Sequence, residues 1–350
     1  RLALVELMLA MAILAVIVAL MLTMVTQTSK IWRRTTGKIE EFRGARDGFQ
    51  SMTRRLAQST LNSYLDYLTN SAGVPVAYTR QSELRFLSGP TTNILASLNL
   101  ATTNPTMAVF FQAPNGFTTN TSNSVLQNAL NTWGYFIEYA SDTNNRPSFL
   151  SGSPKPRYRY RLMELMEPIE SMSVYNYTSG KSAYKDIDWI SNSMTLSYTN
   201  RPAHVLAENV IALILLPKLS PADMANATYT NTYTPGGGYS DSSLAPTYIY
   251  NSATTNQYVG TVDPILNSHN QLPPVIQLTI IAVDEESAVR FPVAYAGLSN
   301  LFATNFTNAS YYSSDLSNVQ SSLIASKMNF RVFTTDVMIK SSKWSGAQTN

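Results

Sequence analysis

A single carboxylate, Glu6, stands near the start of an otherwise uncharged apolar run that continues to about Val25. An ionised side chain at bilayer depth costs about 2.5 to 3.5 kcal/mol even on lenient insertion scales, so Glu6 implies a partner. From Leu7 to Leu22 the run is unbroken Leu, Met, Ala, Ile and Val, and Thr23, Met24 and Val25 extend it. As a helix it would measure about 28 Å at about 1.5 Å per residue, close to the roughly 30 Å hydrocarbon thickness of a bilayer. The segment is expected to span a membrane once. A plain signal anchor or signal peptide is the bland alternative, but no Ala-x-Ala exit follows the run, and neither device needs Glu6. Lys30, Arg33 and Arg34 sit just after the span, where basic flanks ordinarily stay cytoplasmic. A basic leader, if cleaved, would outvote them.

The opening Leu2-Ala3-Leu4-Val5-Glu6-Leu7 resembles the start of mature type IV pilins and pseudopilins, usually Phe-Thr-Leu-Ile/Val-Glu-Leu. In that superfamily the carboxylate neutralises the N-terminal amine of a neighbouring subunit as the helix leaves the membrane for the filament core. The resemblance implies that Glu6, with Leu2, Leu4, Val5 and Leu7, directs assembly. By the family's count Leu2 is the first mature residue, and Arg1 falls where a Gly precedes the cut. Either Arg1 is a remnant of the leader, the register is shifted by one, or the true start differs. The implied partners are copies of the chain, other pilin-like subunits, a prepilin peptidase and an inner-membrane assembly platform. The implied localisation is the inner membrane before assembly, then an extracellular filament or a periplasmic pseudopilus.

No Pro interrupts the chain between the span and Pro75, and apolar residues recur at spacings of three and four. The stripe runs through Phe42, Ala45, Phe49, Met52, Leu56, Leu61, Leu65 and Leu68, which predicts one helix from Leu2 to Leu68. Lys38, Glu41, Arg43, Arg46, Asp47, Gln50, Arg54 and Arg55 fill the remaining surface. Gly37, Gly44 and Gly48 each weaken a helix interior by about 1 kcal/mol relative to Ala, so they mark close helix contacts or a place to bend.

After about Thr69 the composition turns to Asn, Thr, Ser, Tyr and Gly with short apolar runs, which predicts a mainly β domain over residues 69–350. Candidate strands are Val109 to Gln112, Tyr135 to Tyr139, Arg157 to Glu164, Val210 to Leu216, Val275 to Val283 and Phe330 to Ile339. In the third, Arg157, Arg159 and Arg161 alternate with Tyr158, Tyr160 and Leu162, placing cations on one sheet face and apolar groups on the other. Val210 to Leu216 is apolar throughout, which predicts a central strand covered on both faces, with the amphipathic half of the helix as the cover. The expected class is α+β: a long helix, half membrane-spanning and half amphipathic, on a mainly antiparallel sheet. Tyr160 to Leu165, His204 to Val210, Leu272 to Leu278, Phe330 to Phe333 and Lys343 to Ser345 together resemble a pseudopilin family named Verru_Chthon cassette protein C. Their order is also similar to that in the J-type minor pseudopilins of type II secretion. Neither resemblance implies a catalytic site.

Pro221 to Gln271 and Ser299 to Ser322, rich in Asn, Thr, Ser and Tyr, are expected to be ordered outward insertions that pack between subunits or adhere to surroundings. Asn120, Asn176, Asn226, Asn305 and Asn308 open Asn-x-Ser/Thr sequons and are candidate glycosylation acceptors.

The net charge of +3 on 350 residues offers no electrostatic footprint for nucleic acid. Cysteine is absent, so neither a thiol nucleophile nor a disulfide contributes. His204 and His269 are the only imidazoles, and no Gly-x-Ser-x-Gly elbow, P-loop or Cys/His metal spacing occurs. Asp284-Glu285-Glu286 is weighed as a calcium site and read as a solvated strand end. No enzyme activity, cofactor or metal is expected. The chain reads as a structural filament subunit; the alternatives are a low-copy minor pseudopilin of a secretion machine and an anchored adhesin.

Overall fold

The computed structural model describes residues 2–95, 106–126, 128–146, 149, 155–174, 188–198, 200–224, 243–253, 268–290, 301–302 and 304–344. It divides into two units, Arg1–Arg43 and Gly44–Asn350. Helix α1 (Leu2–Leu56) supplies the first unit and opens the second. Within it, Leu7–Trp32 has the length and composition to cross a membrane.

The helix stops at Leu56, twelve residues before the Leu68 expected from spacing. Its last turn tightens as the amides of Gln58 and Ser59 donate to the carbonyls of Arg55 and Leu56, three residues back. The amide of Thr60 then donates to the Gln112 carbonyl at 2.9 Å, and Asn62 takes a left-handed backbone (φ 46°). Leu61, Leu65 and Leu68 fit a helical period, but bonding to a neighbouring strand wins over local pattern. Tyr64–Thr69 becomes β1, antiparallel to β2 (Pro75–Gln81). Asn70 closes that hairpin by accepting the amides of Ala72 and Val74, with Gly73 at φ 75° where a side chain would be strained.

Among the described residues the remaining strands form two antiparallel sheets. The larger has the order β7-β6-β5-β4-β3-β9 and comprises β3 (Leu87–Pro90), β4 (Met107–Pro114), β5 (Leu130–Ser141), β6 (Tyr158–Glu167), β7 (Ala203–Glu208) and β9 (Tyr250–Asn251). The smaller has the order β11-β10-β8 and comprises β8 (Val210–Lys218), β10 (Val275–Val283) and β11 (Phe330–Met338). Short helices α2 (Thr91–Ile94), α3 (Asp188–Met194), α4 (Pro221–Met224) and α5 (Glu285–Arg290), with the longer α6 (Tyr312–Ala325), fill the connections. The α+β class and all six expected strands are present.

Two further expectations need correction. β8 is an edge strand of its sheet, and β10 is the central one. An edge normally leaves amides open, yet the Leu213 amide donates to Thr106 Oγ1 at 3.1 Å and the Leu215 amide to Met107 Sδ at 3.2 Å. The cover that makes β8 wholly apolar therefore includes the six-stranded sheet, which lies against it through β4, β5 and β6.

The described parts of the polar insertions also turn inward. Tyr248, Tyr250, Phe306, Ala309 and Val319 are buried. Tyr250 meets the Phe86 ring edge-on at 5.8 Å between centroids, and Tyr248 meets Phe306 at 6.3 Å. The Tyr250 hydroxyl donates to the Gln271 carbonyl, so these aromatics serve the core and satisfy their polar tips there. Residues 225–242 and 254–267 lie outside the described residues.

Candidate functional site

The expected assembly residues Leu2, Leu4, Val5, Glu6 and Leu7 all lie within α1. The side chains of the first four fall outside the described residues; Leu7 is exposed, as is each following residue to Trp32. From Leu7 to Val25 this is a continuous, exposed apolar surface.

The other end of α1 is covered. In the second unit Ala45, Phe49, Met52 and Leu56 are buried, while Arg46, Asp47 and Arg54 are exposed, as an amphipathic stripe requires. Gly48 marks a close approach: a Cβ there would stand 3.2 Å from Ala207 Cβ and 3.3 Å from Leu206 Cγ. Gly44 has open space around the same position. The surroundings of Gly37 lie outside the described residues.

A polar latch fastens this end of the helix to the larger sheet. Glu164 stands on the otherwise apolar β6 face with Tyr160 and Leu162, directly opposite Tyr135 on β5. Its side chain is only 2% exposed. Arg55 of α1 donates to Oε1 in an ion pair, Tyr135 donates its hydroxyl to the same oxygen at 2.6 Å, and His204 Nε2 lies 2.7 Å from Oε2. The Arg55 guanidinium also lies over the Trp133 ring, 4.1 Å from its centroid. Burial raises the Glu164 carboxyl, but bonds from His204, Tyr135 and Arg55 outweigh it and hold the group below its usual range. Burial and the Glu164 charge push the Tyr135 hydroxyl well above its usual range. For Arg55 burial lowers the value, and the bonds and charges of Glu164 and Tyr135 together more than offset it, raising the group above its usual range. The latch therefore holds a carboxylate, a phenol and a guanidinium in fixed protonation states at neutral pH, which suits anchorage rather than proton transfer.

Sequence spacing singled out neither Arg55 nor Glu164 as a pair. The available signal was a lone acid closing the apolar alternation of Tyr158, Tyr160 and Leu162. His204, one of the two imidazoles of the chain, sits in the latch with half its side chain exposed.

The cationic face of β6 is buried against partners. Arg159 pairs with Glu285 and Arg161 Nη1 donates to the Ala140 carbonyl at 3.0 Å, while Arg157, just before the strand, is exposed. Arg201, ahead of β7, donates Nη2 to Glu138 Oε2 on β5 at 2.7 Å. The Glu285 pair corrects the reading of Asp284-Glu285-Glu286 as a solvated end. Buried Asp284 caps α5 by accepting the Ser287 amide and also accepts Asn329 Nδ2, both at 2.8 Å. Among the described residues no group of His, Asp and Glu is arranged to hold a metal. His269 lies beside Asn270, its pKa lowered by burial and by Arg85.

The sequons differ. Asn120 is exposed and accepts the Ser122 amide; Asn308 is half-buried and accepts the Ser310 amide. Asn305 is buried and its Nδ2 donates to the Leu301 carbonyl at 2.7 Å, so a sugar on that nitrogen would have to displace its packed surroundings. Asn176 and Asn226 lie outside the described residues.

No protein-family model matches the chain, no curated protein matches it, and no solved structure matches it.

Proposed function

We propose that this chain is a structural subunit of a type IV pilus-like filament. It is held in a membrane by the first half of α1, then stacked so that these halves cover one another and the β domain lies outside. The observation that carries the reading is the exposed apolar surface from Leu7 to Val25, headed by Glu6 and belonging to a helix whose other end is latched to a folded domain. A lone apolar rod needs only lipid, but the carboxylate at its head is poorly satisfied there and better satisfied beside a positive group on a second rod. A latch through Arg55 and Glu164 passes load on the domain to the helix, as a polymer subunit requires.

The test is quantitative mass spectrometry of sheared surface filaments, from cells carrying the natural chain and from cells carrying Glu6→Ala. Abundant natural chain and at least a tenfold loss in the variant, with equal total protein, is the expected outcome. Equal yields from the two would sink the role of Glu6. A chain that stays rare in filaments which form without it would instead make it a low-copy minor pseudopilin.

A further inference from the structure

The two edges of the smaller sheet differ. On β8 the amides of Leu213 and Leu215 are taken by Thr106 and Met107 of the same chain. On β11 the outward row is open. The Ile339 amide donates to the Pro274 carbonyl and the Asp284 amide to the Asn329 carbonyl, so the odd-numbered residues of β11 are those bonded to β10. Val332, Thr334, Asp336 and Met338 therefore turn their amides away from the sheet, and none of these four amides has a partner among the described residues. Lys340, next in the row, donates its amide to the Ala57 carbonyl at 3.1 Å, so the open row stops where α1 ends. A nine-residue edge with neither Pro nor bulge is a template for another strand.

A groove runs along this edge with α1 as its second wall, and Phe49 meets Phe333 there with ring centroids 6.0 Å apart. Arg46 and Arg54 of α1 line it, both exposed and without an ion pair or hydrogen bond among the described residues. Asp336 also lines it, but alternation sets that carboxylate on the sheet face opposite Phe333 and so away from α1. The α1 wall thus holds an aromatic ring between two uncompensated cations. Arg46 and Arg54 stand eight residues apart, about 12 Å along the helix at about 1.5 Å per residue. Strand residues i and i+4 share a face and stand about 13 Å apart at about 3.3 Å per residue. A strand laid on β11 meets both cations with acids at i and i+4, and meets Phe49 with an apolar residue at i+2.

We propose that β11 is a strand-addition site for an extended segment of another polypeptide, one carrying acids at i and i+4 and an apolar residue at i+2 on its α1-facing side. Main-chain bonds to Val332, Thr334, Asp336 and Met338 supply affinity, and Arg46 and Arg54 select the sequence. A second copy's β11 does not fit, because two-fold pairing would bring Arg46 and Arg54 of both helices onto one face. Nor does this chain offer a free acidic pair of that spacing: its one such pair, Glu138 and Asp142, is engaged by Arg201 and Arg146. Such a site does not depend on the chain forming a filament.

The test is fluorescence anisotropy of a labelled peptide, Thr-Glu-Thr-Val-Thr-Glu-Thr, with the full-length chain in nonionic detergent. Saturable binding is expected, weaker by about tenfold or more when both Glu become Lys or when one Glu is moved by one residue onto the opposite face. Arg46→Glu combined with Arg54→Glu should reverse the preference, so that the lysine peptide binds better than the glutamate one. Asp336→Pro removes an outward amide but no bond to β10, and should weaken binding about tenfold, whereas Asp336→Ala keeps the amide and the binding. Absence of saturable binding to the natural chain would overturn the site, as would equal affinity for the face-shifted peptide. A dimer of the chain that Asp336→Pro dissociates would overturn it too, placing a second copy on the edge. Should Asp336→Pro fail to fold, the charge reversal decides: an unchanged preference for the glutamate peptide would sink the role of the two arginines.

Discussion

The two ends of α1 both carry large apolar side chains, and those side chains meet opposite surroundings. From Leu7 to Trp32 every side chain is exposed, whereas Ala45, Phe49, Met52 and Leu56 are buried and Arg55 is clamped to Glu164. Burial of a Leu or Met side chain contributes about 1.5 to 3 kcal/mol, so the second end is stabilised by its own chain. The first end, exposed along its described length, has that contribution still to gain. One helix thus joins a region stable by itself to a region whose stability depends on what surrounds it.

Truncations should separate the two ends most sharply. Met52→Ala leaves a cavity at a fully buried site and should destabilise the second unit by about 3 kcal/mol, seen as a large fall in its melting temperature. Leu14→Ala, at an exposed site, should leave that melt unchanged. Equal effects at the two positions would break the comparison.

Glu164→Gln should cost about 2 kcal/mol, because Arg55 and Tyr135 lose a charged acceptor inside the structure. The pH dependence gives an independent check. The folded carboxyl lies below its unfolded value of about 4.3, so its contribution is complete above that pH and is lost as pH falls through the lower folded value. The difference in melting temperature between natural chain and Glu164→Gln should therefore be constant from pH 7 to about 5 and shrink below about pH 4.

The smallest effects compare two glycines one turn apart. Gly44→Ala, with open space and a helical backbone, should stabilise by up to about 1 kcal/mol. Gly48→Ala should gain nothing or lose, since its Cβ meets Ala207 and Leu206. The thermal melt of Gly44→Ala should rise, and that of Gly48→Ala should stay or fall.

Most strands could be read from the chain because their apolar runs are long and β-branched, as in Val275–Val283, whose bounds were expected to the residue. The end of α1 was illegible because Leu61, Leu65 and Leu68 satisfy a helical period, while the bond from Thr60 to Gln112 that stops the helix spans fifty residues. The place of β8 was missed for a related reason: an apolar run records burial but not whether the cover is a hydrogen-bonded neighbour or a packed sheet. Polar composition misled at Tyr248, Tyr250 and Phe306, where aromatics scattered through Asn and Thr serve the core. The latch joins residues 55, 135, 164 and 204, and such a set is visible only once the sheet has brought them together.

The central claim is that other copies of the chain cover the apolar half of α1. Single cysteines at Leu14 and, as a control, at Ala45 allow it to be measured by oxidative cross-linking in sheared filaments. The account predicts dimers and larger species from Leu14→Cys and monomer from Ala45→Cys. Leu14→Cys that stays monomeric, found only in membranes and reached there by a lipid-phase probe, would contradict it.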